Sequence, residues 1–343
     1  MQAPSVTIII VNWNGQHHLE KCLSSLTRQS FQGFDTLLVD NNSDDSSIAY
    51  VQENFPFVSV IELDKNYGFC KPNNLAMKQV NTKYVCLLNN DTELDDKCLA
   101  AMFETMEADE KLGICDAKQV LFDQRDTVFS VGADYTVAGS SVGAGLFQPD
   151  KGFDATRYCS IGMAACILYR KEMLDKIGLF DEDFFAGRED VDLSVRALLA
   201  GYRIQDVGRA ICYHKVSATR GNSSPVYVRR GQRNLHWVFF KNMPASLVRR
   251  YLAHHILYTL FTALYYFRIG RGGSWLMSKW DVLRDIGALR TKRKNVQQLQ
   301  AISDDEFAAL LTHDWFDMSK AIDKFRSAWA TGSGISAKKN EST

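Results

Sequence analysis

Val6-Thr7-Ile8-Ile9-Ile10-Val11 is a continuous β-branched run that ends in Asn12-Trp13-Asn14-Gly15. A strand with one wet face alternates polar and apolar residues, so an unbroken run reads as a strand buried on both faces of a parallel sheet. Working outward, Leu19, Cys22, Leu23 and Leu26 fall at i, i+3, i+4 and i+7 and give the next segment one apolar helical face. The alternation recurs. Strands are expected at Thr36–Val39, Val58–Leu63, Tyr84–Leu88 and Ile114–Val120, with helices near Ser46–Glu53, Asn73–Val80 and Asp95–Met106. Strands separated by short helices imply right-handed βαβ units and an α/β, doubly wound, mostly parallel sheet flanked by helices.

Phe122–Arg157 has several glycines and no helical period and reads as a hairpin or mobile loop. A strand at Ala165–Tyr169, a helix from Lys171, a helix near Asp190–Ala200 and a strand near Ile211–Tyr213 follow, and beyond Ser224 the chain turns helical. The predicted division is a catalytic domain over 1–242, a helical, basic, membrane-associating region over 243–330 and a disordered tail over 331–343.

Forty basic and forty acidic residues in 343 give no global field toward nucleic acid or an acidic polymer. The charge is uneven, with eight basic residues against two acidic between Arg268 and Lys294. Eight cysteines without a CxxC pair, mostly inside apolar runs, read as reduced core residues of a cytosolic protein. The N-terminus lacks the basic region and apolar length of a signal peptide. Tyr251–Phe267 carries no Asp, Glu, Lys or Arg; its histidines argue against insertion, and the basic, tryptophan-bearing segment after it suits anionic headgroups. The alternative is a helix packed on the catalytic domain or a second subunit.

In doubly wound sheets, ligands bind beyond the carboxyl ends of the strands. Four consecutive strand ends are rich in Asn and Asp: Asn12-Trp13-Asn14-Gly15, Asp40–Asp45, Asp64–Gly68 and Asn89-Asn90-Asp91. No GxGxxG opens the first strand–helix turn and no GxxxxGK[ST] occurs, which removes the main support for dehydrogenase and P-loop readings. Asp91 either holds Mg²⁺ or Mn²⁺ or caps the following helix. Asn41 either pairs with the imide edge of uracil or thymine or belongs, with Asp40, to an Asx turn. Trp13 either stacks on a base or packs in the core. Glu189-Asp190-Val191-Asp192 complements a helix N-terminus or supplies a general base. His214 is a core histidine or a metal ligand. Lys71, Arg229, Arg230 and Arg233 are candidates to neutralise a leaving phosphate or are surface charges. A glycoside hydrolase needs two carboxylates flanking one bond from different elements, and no such pair is visible.

Taken together, Val11–Gly15, Val39–Ser43, Asn66–Phe69 with Asn73-Asn74, Leu87–Thr92, Gly178–Asp181, Phe184-Phe185, Glu189–Leu193, Gly201-Tyr202 and His214 resemble the family 2 glycosyltransferases of the GT-A, Rossmann-like fold, in the same order. The subgroup most similar is the bacterial rhamnosyltransferases of polysaccharide assembly. The resemblance implies an inverting transferase using a nucleoside-diphosphate sugar, with L-rhamnose from dTDP-rhamnose as the expected donor and a glycan or polyprenyl-diphosphate-linked sugar as acceptor. It implies Asp190 as general base and Asp91 and His214 as holders of Mg²⁺ or Mn²⁺. Asn12, Trp13, Asp40, Asn41, Lys71, Asn74, Asn90, Glu189 and Arg233 are expected to bind the nucleotide and sugar. The family's DxD is replaced by Asn89-Asn90-Asp91, which removes one carboxylate and weakens the case for metal. The expected location is cytoplasmic, peripheral on the inner face of the cell membrane, and a homo-oligomer is open. The alternatives are an inactive nucleotide-sugar-binding subunit and a transferase of another hexose from a UDP-sugar.

Overall fold

The computed structural model describes residues 3–216 and 224–315. The tail expected over 331–343 lies outside them. Strands β1 (Val6–Asn12), β2 (Phe34–Asp40), β3 (Val58–Glu62) and β4 (Tyr84–Leu88) alternate with helices α1 (Gln16–Thr27), α2 (Ser47–Asn54) and α3 (Cys70–Met77). They lie parallel in the order β4-β1-β2-β3. The first run behaves as its composition requires. Ile9 faces one apolar cluster, while Val6, Ile8 and Ile10 face the other. Burying a side chain of this size contributes ~1.5–3 kcal/mol, so the central strand anchors both layers.

The sheet continues with β5 (Thr92–Leu94), helix α4 (Cys98–Ala108) and the long strand β6 (Leu112–Leu121). The segment read as a hairpin or mobile loop contains β7 (Gln124–Ser130), paired on β6, the hairpin β8 (Ala133–Tyr135) with β9 (Ser141–Gly143), and β10 (Arg157–Tyr158). Then come β11 (Cys166–Arg170), α5 (Lys171–Ile177), a 3₁₀ turn at Glu182–Phe184, α6 (Glu189–Leu199) and β12 (Arg203–His214). The order across the sheet is β10-β12-β6-β11-β4-β1-β2-β3, with β11 antiparallel to both neighbours and β12 parallel to β6. The expected α/β, mostly parallel architecture is the one observed.

Five helices complete the described chain: α7 (Pro225–Asn242), α8 (Ala245–Arg268), α9 (Gly272–Arg284), α10 (Ile286–Gln297) and α11 (Asp304–Ala309). They share the apolar cluster of the sheet, since Trp237, Phe239, Leu247, Leu289 and Phe307 belong with Ile9 and Val85. A buried ionic knot joins α6 to α7: Asp192 accepts from Arg196 at 3.0 Å and Lys241 at 2.7 Å, and Lys241 also reaches Asp181 at 2.8 Å. Removing one partner from such a knot costs about 3–5 kcal/mol, because an uncompensated buried charge remains. Among the described residues, no helix is long and apolar enough to cross a membrane. All eight cysteines are buried and unpaired.

Candidate functional site

The carboxyl ends of β1, β2 and β4 are tied together by amides. Asn12, fully buried, donates to Asp40 at 3.1 Å and accepts from the Asn90 amide at 2.8 Å. Asp40 in turn accepts from the Ser43 N–H at 2.8 Å and hydroxyl at 2.6 Å, the Asx turn expected from the sequence. Gly15 permits this closure: a Cβ there would lie 2.1 Å from the Asn90 amide nitrogen. Asn41 spends its amide within the protein, donating to Asn66 at 3.1 Å and to the Gly68 carbonyl at 2.8 Å and accepting from the Tyr67 N–H at 2.8 Å. Trp13 is 55% exposed on the wall of a crevice of about 670 Å³, so its ring lies outside the core.

The same crevice is lined by Asn89, Asn90, Asp91, His214, Glu189 and Asp190. Two short pairings bring Asp91 to His214. Strand β5 runs antiparallel to β12 with Thr92 opposite His214, and the Lys215 N–H donates to the Asp91 carbonyl at 3.0 Å. The Asp91 carboxylate then stands 3.2 Å from Nε2 of His214. The Gln119 amide nitrogen donates to the Met163 carbonyl, so its oxygen accepts from Nδ1 of His214 at 3.1 Å. That bond holds the ring so that Nε2 is the atom facing Asp91. A carboxylate oxygen and an imidazole nitrogen facing each other can serve as two ligands of a divalent cation. Among the described residues, no group of three or more His, Cys, Asp and Glu side chains converges as a metal site. Two ligands from the protein require the remainder from diphosphate and water.

Elsewhere in the crevice lining, Phe184–Arg188 makes a tight loop with positive φ at Phe185 (61°), Gly187 (90°) and Arg188 (70°). The Phe185 carbonyl accepts from the N–H groups of Phe69 and Cys70 at the start of α3. Gly68 allows that approach, because its φ is 78° and a Cβ would meet the Phe185 carbonyl at 2.7 Å. The loop delivers Glu189 and Asp190 to the crevice. Burial, and then the Asp190 charge, push the Glu189 carboxyl up to about 8, and its Oε2 has no hydrogen-bond partner. Asp190 is raised by burial too, but N–H groups of Val191, at 2.8 Å, and Ala164 favour its anion. Burial thus raises both adjacent carboxyls above the ordinary carboxylate range.

Other expected residues lie outside the crevice. Asn74 is buried and holds the 178–182 turn, accepting from the Phe180 N–H at 3.0 Å and donating to the Phe180 carbonyl at 2.9 Å. Lys71 sits over the Tyr67 ring at 3.8 Å. Arg233 lies against Trp237, 4.3 Å from the ring centroid, and donates to the Asp183 carbonyl at 2.8 Å. Arg229 pairs with Asp281 at 2.6 Å. Sequence reasoning missed Gln119, Met163, Ala164 and Tyr227 on the crevice wall. Gln119, a polar residue next to Asp116 and Lys118 in a strand that is otherwise apolar, was the one legible signal.

The description of glycosyl transferase family 2 matches residues 7–178, half of the chain. The chain belongs to that family. Poly-β-1,6-N-acetyl-D-glucosamine synthase of Staphylococcus epidermidis is 23% identical over 261 residues, covering 75% of this chain and 60% of the relative. The same synthase from Staphylococcus aureus strain COL is 24% identical over 255 residues, again covering 60% of the relative. The chain thus spans about three fifths of the length of these relatives. Among solved structures, residues 1–349 of S. aureus TarS superpose with a TM-score of 0.55 at 16% identity, covering 89% of this chain and 91% of that one. A mannosyltransferase from Pyrobaculum calidifontis in complex with GDP-Man and Mn²⁺ gives 0.53 at 16% identity, with 90% and 87% covered. These likenesses give the fold, which is the expected GT-A one.

Proposed function

We propose that this protein is an inverting glycosyltransferase that moves a sugar from a nucleoside diphosphate to a glycan or lipid-linked saccharide in cell-surface polysaccharide assembly. The observation that carries the reading is that one crevice is lined both by the Asp91–His214 pair and by the adjacent carboxyls Glu189 and Asp190. Asp190 takes the proton of the acceptor hydroxyl as that oxygen forms its bond to the anomeric carbon. The bond from that carbon to the diphosphate oxygen breaks on the opposite face, and its electron pair leaves with the nucleoside diphosphate. Asp91 and His214 would hold Mg²⁺ or Mn²⁺, which when bound offsets the charge of the leaving diphosphate. The presence of Glu189 and Asp190 in the crevice favours an active enzyme over a binding subunit. Rhamnose from dTDP-rhamnose is the donor that the subgroup resemblance favours, and a hexose from a UDP-sugar is the alternative.

The catalytic unit is proposed to span 1–242, with 243–330 as a helical region that rests on the inner leaflet of the cell membrane. Ile256, Leu257, Leu260, Leu264 and Phe267 make an exposed stripe along α8, and Leu276, Met277, Trp280 and Leu283 make one along α9. Arg249, Arg250, Arg268, Arg284, Arg290 and Lys294 are exposed around them, so an anionic bilayer matches both the apolar and the charged character of this face.

The deciding experiment is a panel of nucleotide sugars with Mn²⁺, read by thermal shift and then by nucleoside-diphosphate release on adding acceptor saccharides. One donor should raise the melting point and release nucleotide only when acceptor is present. Release that is independent of acceptor, or no stabilisation by any nucleotide sugar, overturns the reading.

A further inference from the structure

A second chamber of about 640 Å³ adjoins the crevice. The two share Met163, Ala186, Glu189, Asp190 and Tyr227, so the same carboxylate faces both. The far walls of the second chamber come from α7 and α8, through Gln232, Tyr265, Tyr266 and Ile269. If the first crevice takes the donor, this one is where the acceptor hydroxyl must wait.

Its charge is unusual for this protein. The neighbouring cations are consumed internally: Arg196 and Lys241 by Asp192, Arg229 by Asp281, Lys292 by Asp181 and Asp183. Arg188 and Arg230 both line the second chamber, and among the described residues neither forms an ion pair with a carboxylate. Arg230 lies over the Phe185 ring, 4.2 Å from its centroid. Arg188 points inward. Beyond burial, which raises the hydroxyls of Tyr135 and Tyr266 and lowers His236 and His255, each of these four groups feels the Arg188 charge. These groups come from β8, α7 and α8, and Arg188 itself lines the chamber. The Tyr135 hydroxyl is fully buried and without a partner. Two guanidiniums, Arg188 and Arg230, line the chamber together with the adjacent carboxyls Glu189 and Asp190. Among the described residues neither guanidinium is held in an ion pair, so a planar oxyanion ligand can engage both through charge-assisted hydrogen bonds.

We infer that the second chamber selects an acceptor saccharide carrying an anionic group, a phosphate ester or a uronate carboxylate, which Arg188 binds while the attacking hydroxyl lies at Asp190. The inference rests on the transferase reading for the role of Asp190. The anion-binding chamber itself stands on Arg188 and Arg230.

The test starts with the full chain titrated with Mn²⁺ and UDP or dTDP, which reads the donor crevice. With that crevice saturated, or left empty if neither nucleotide binds, the protein is titrated with glucose 1-phosphate, methyl glucuronoside and methyl glucoside. At least one anionic probe should bind about tenfold tighter than the neutral one. A phosphate preference points to a phosphate-linked acceptor and a carboxylate preference to a uronic acid polymer. Arg188→Gln should erase the preference and Arg188→Lys keep part of it, with nucleotide affinity unchanged in both. Equal binding of all three probes by the parent, binding of none, or a loss of nucleotide affinity in Arg188→Gln overturns the inference. If Arg188→Gln does not fold, the parent's own preference and Arg188→Lys decide. Failure of the nucleotide titration alone counts against the transferase reading and leaves the probe comparison standing.

Discussion

Replacing Glu189 by Gln should make the protein more stable than its parent at alkaline pH and leave the two alike in acid. Burial and the Asp190 charge move this carboxyl from an ordinary 4.5 to about 8. Between those values the folded protein holds a proton that the unfolded chain has released, so stability is complete below 4.5 and declines as pH rises through 8. At about 1.4 kcal/mol per decade of pH, the full decline is about 5 kcal/mol. Gln mimics the neutral acid and has nothing to release. Asp206, held by burial at about 7, titrates with the same sign in both proteins and cancels in the comparison. Urea unfolding at pH 5 and pH 9 measures the effect. The gap between variant and parent should open by several kcal/mol, which in melting temperature is about 10 °C at ~2 °C per kcal/mol for a domain of this size. A gap that stays constant with pH would mean that folding does not raise the Glu189 carboxyl.

Asp190→Asn should reduce transfer at least a hundredfold with nucleotide affinity preserved, measured by nucleoside-diphosphate release and calorimetry; turnover within tenfold of the parent moves the base elsewhere. Asp91→Ala should abolish the Mn²⁺-dependent part of nucleotide binding, and chelator should silence the parent reversibly; full activity in excess EDTA marks a metal-independent enzyme. Leu264→Glu with Trp280→Glu, both at exposed positions, should release the protein from anionic vesicles in sedimentation while leaving its melting temperature unchanged. A parent that stays in the supernatant at low salt refutes membrane contact.

The parallel half of the sheet was legible because each of its strands carries its own evidence: Val6–Val11 and Tyr84–Leu88 are apolar on both faces, and their helices show the matching period. Direction was not. Cys166–Arg170 is equally apolar whichever way it runs, and its antiparallel insertion between β4 and β6 depends on partners more than forty residues away. The sequence also shortened β12 to Ile211–Tyr213, because Arg203–Gly208 mixes charged and small residues and the register shifts before Ile211. Helix α3 begins at Cys70 rather than near Asn73, since its first turn is fixed by the Phe185 carbonyl, a contact no local pattern encodes. Asp91 and His214 could be named as candidates, but the pairing of β5 with β12 that joins them is only three residues long. Arg188 escaped notice because nothing in Gly187-Arg188-Glu189 reveals which way a left-handed residue aims its side chain.

The Asp181 carboxylate, 10% exposed, is bound by Lys241 and Lys292, which outweigh its burial and hold it at about 2. These lysines lie 60 and 111 residues further along the chain. On the ribosome, every strand of the sheet is therefore translated before either counter-charge exists. The corner that carries this carboxylate thus closes only once α7 and α10 have been made, and until then water solvates Asp181.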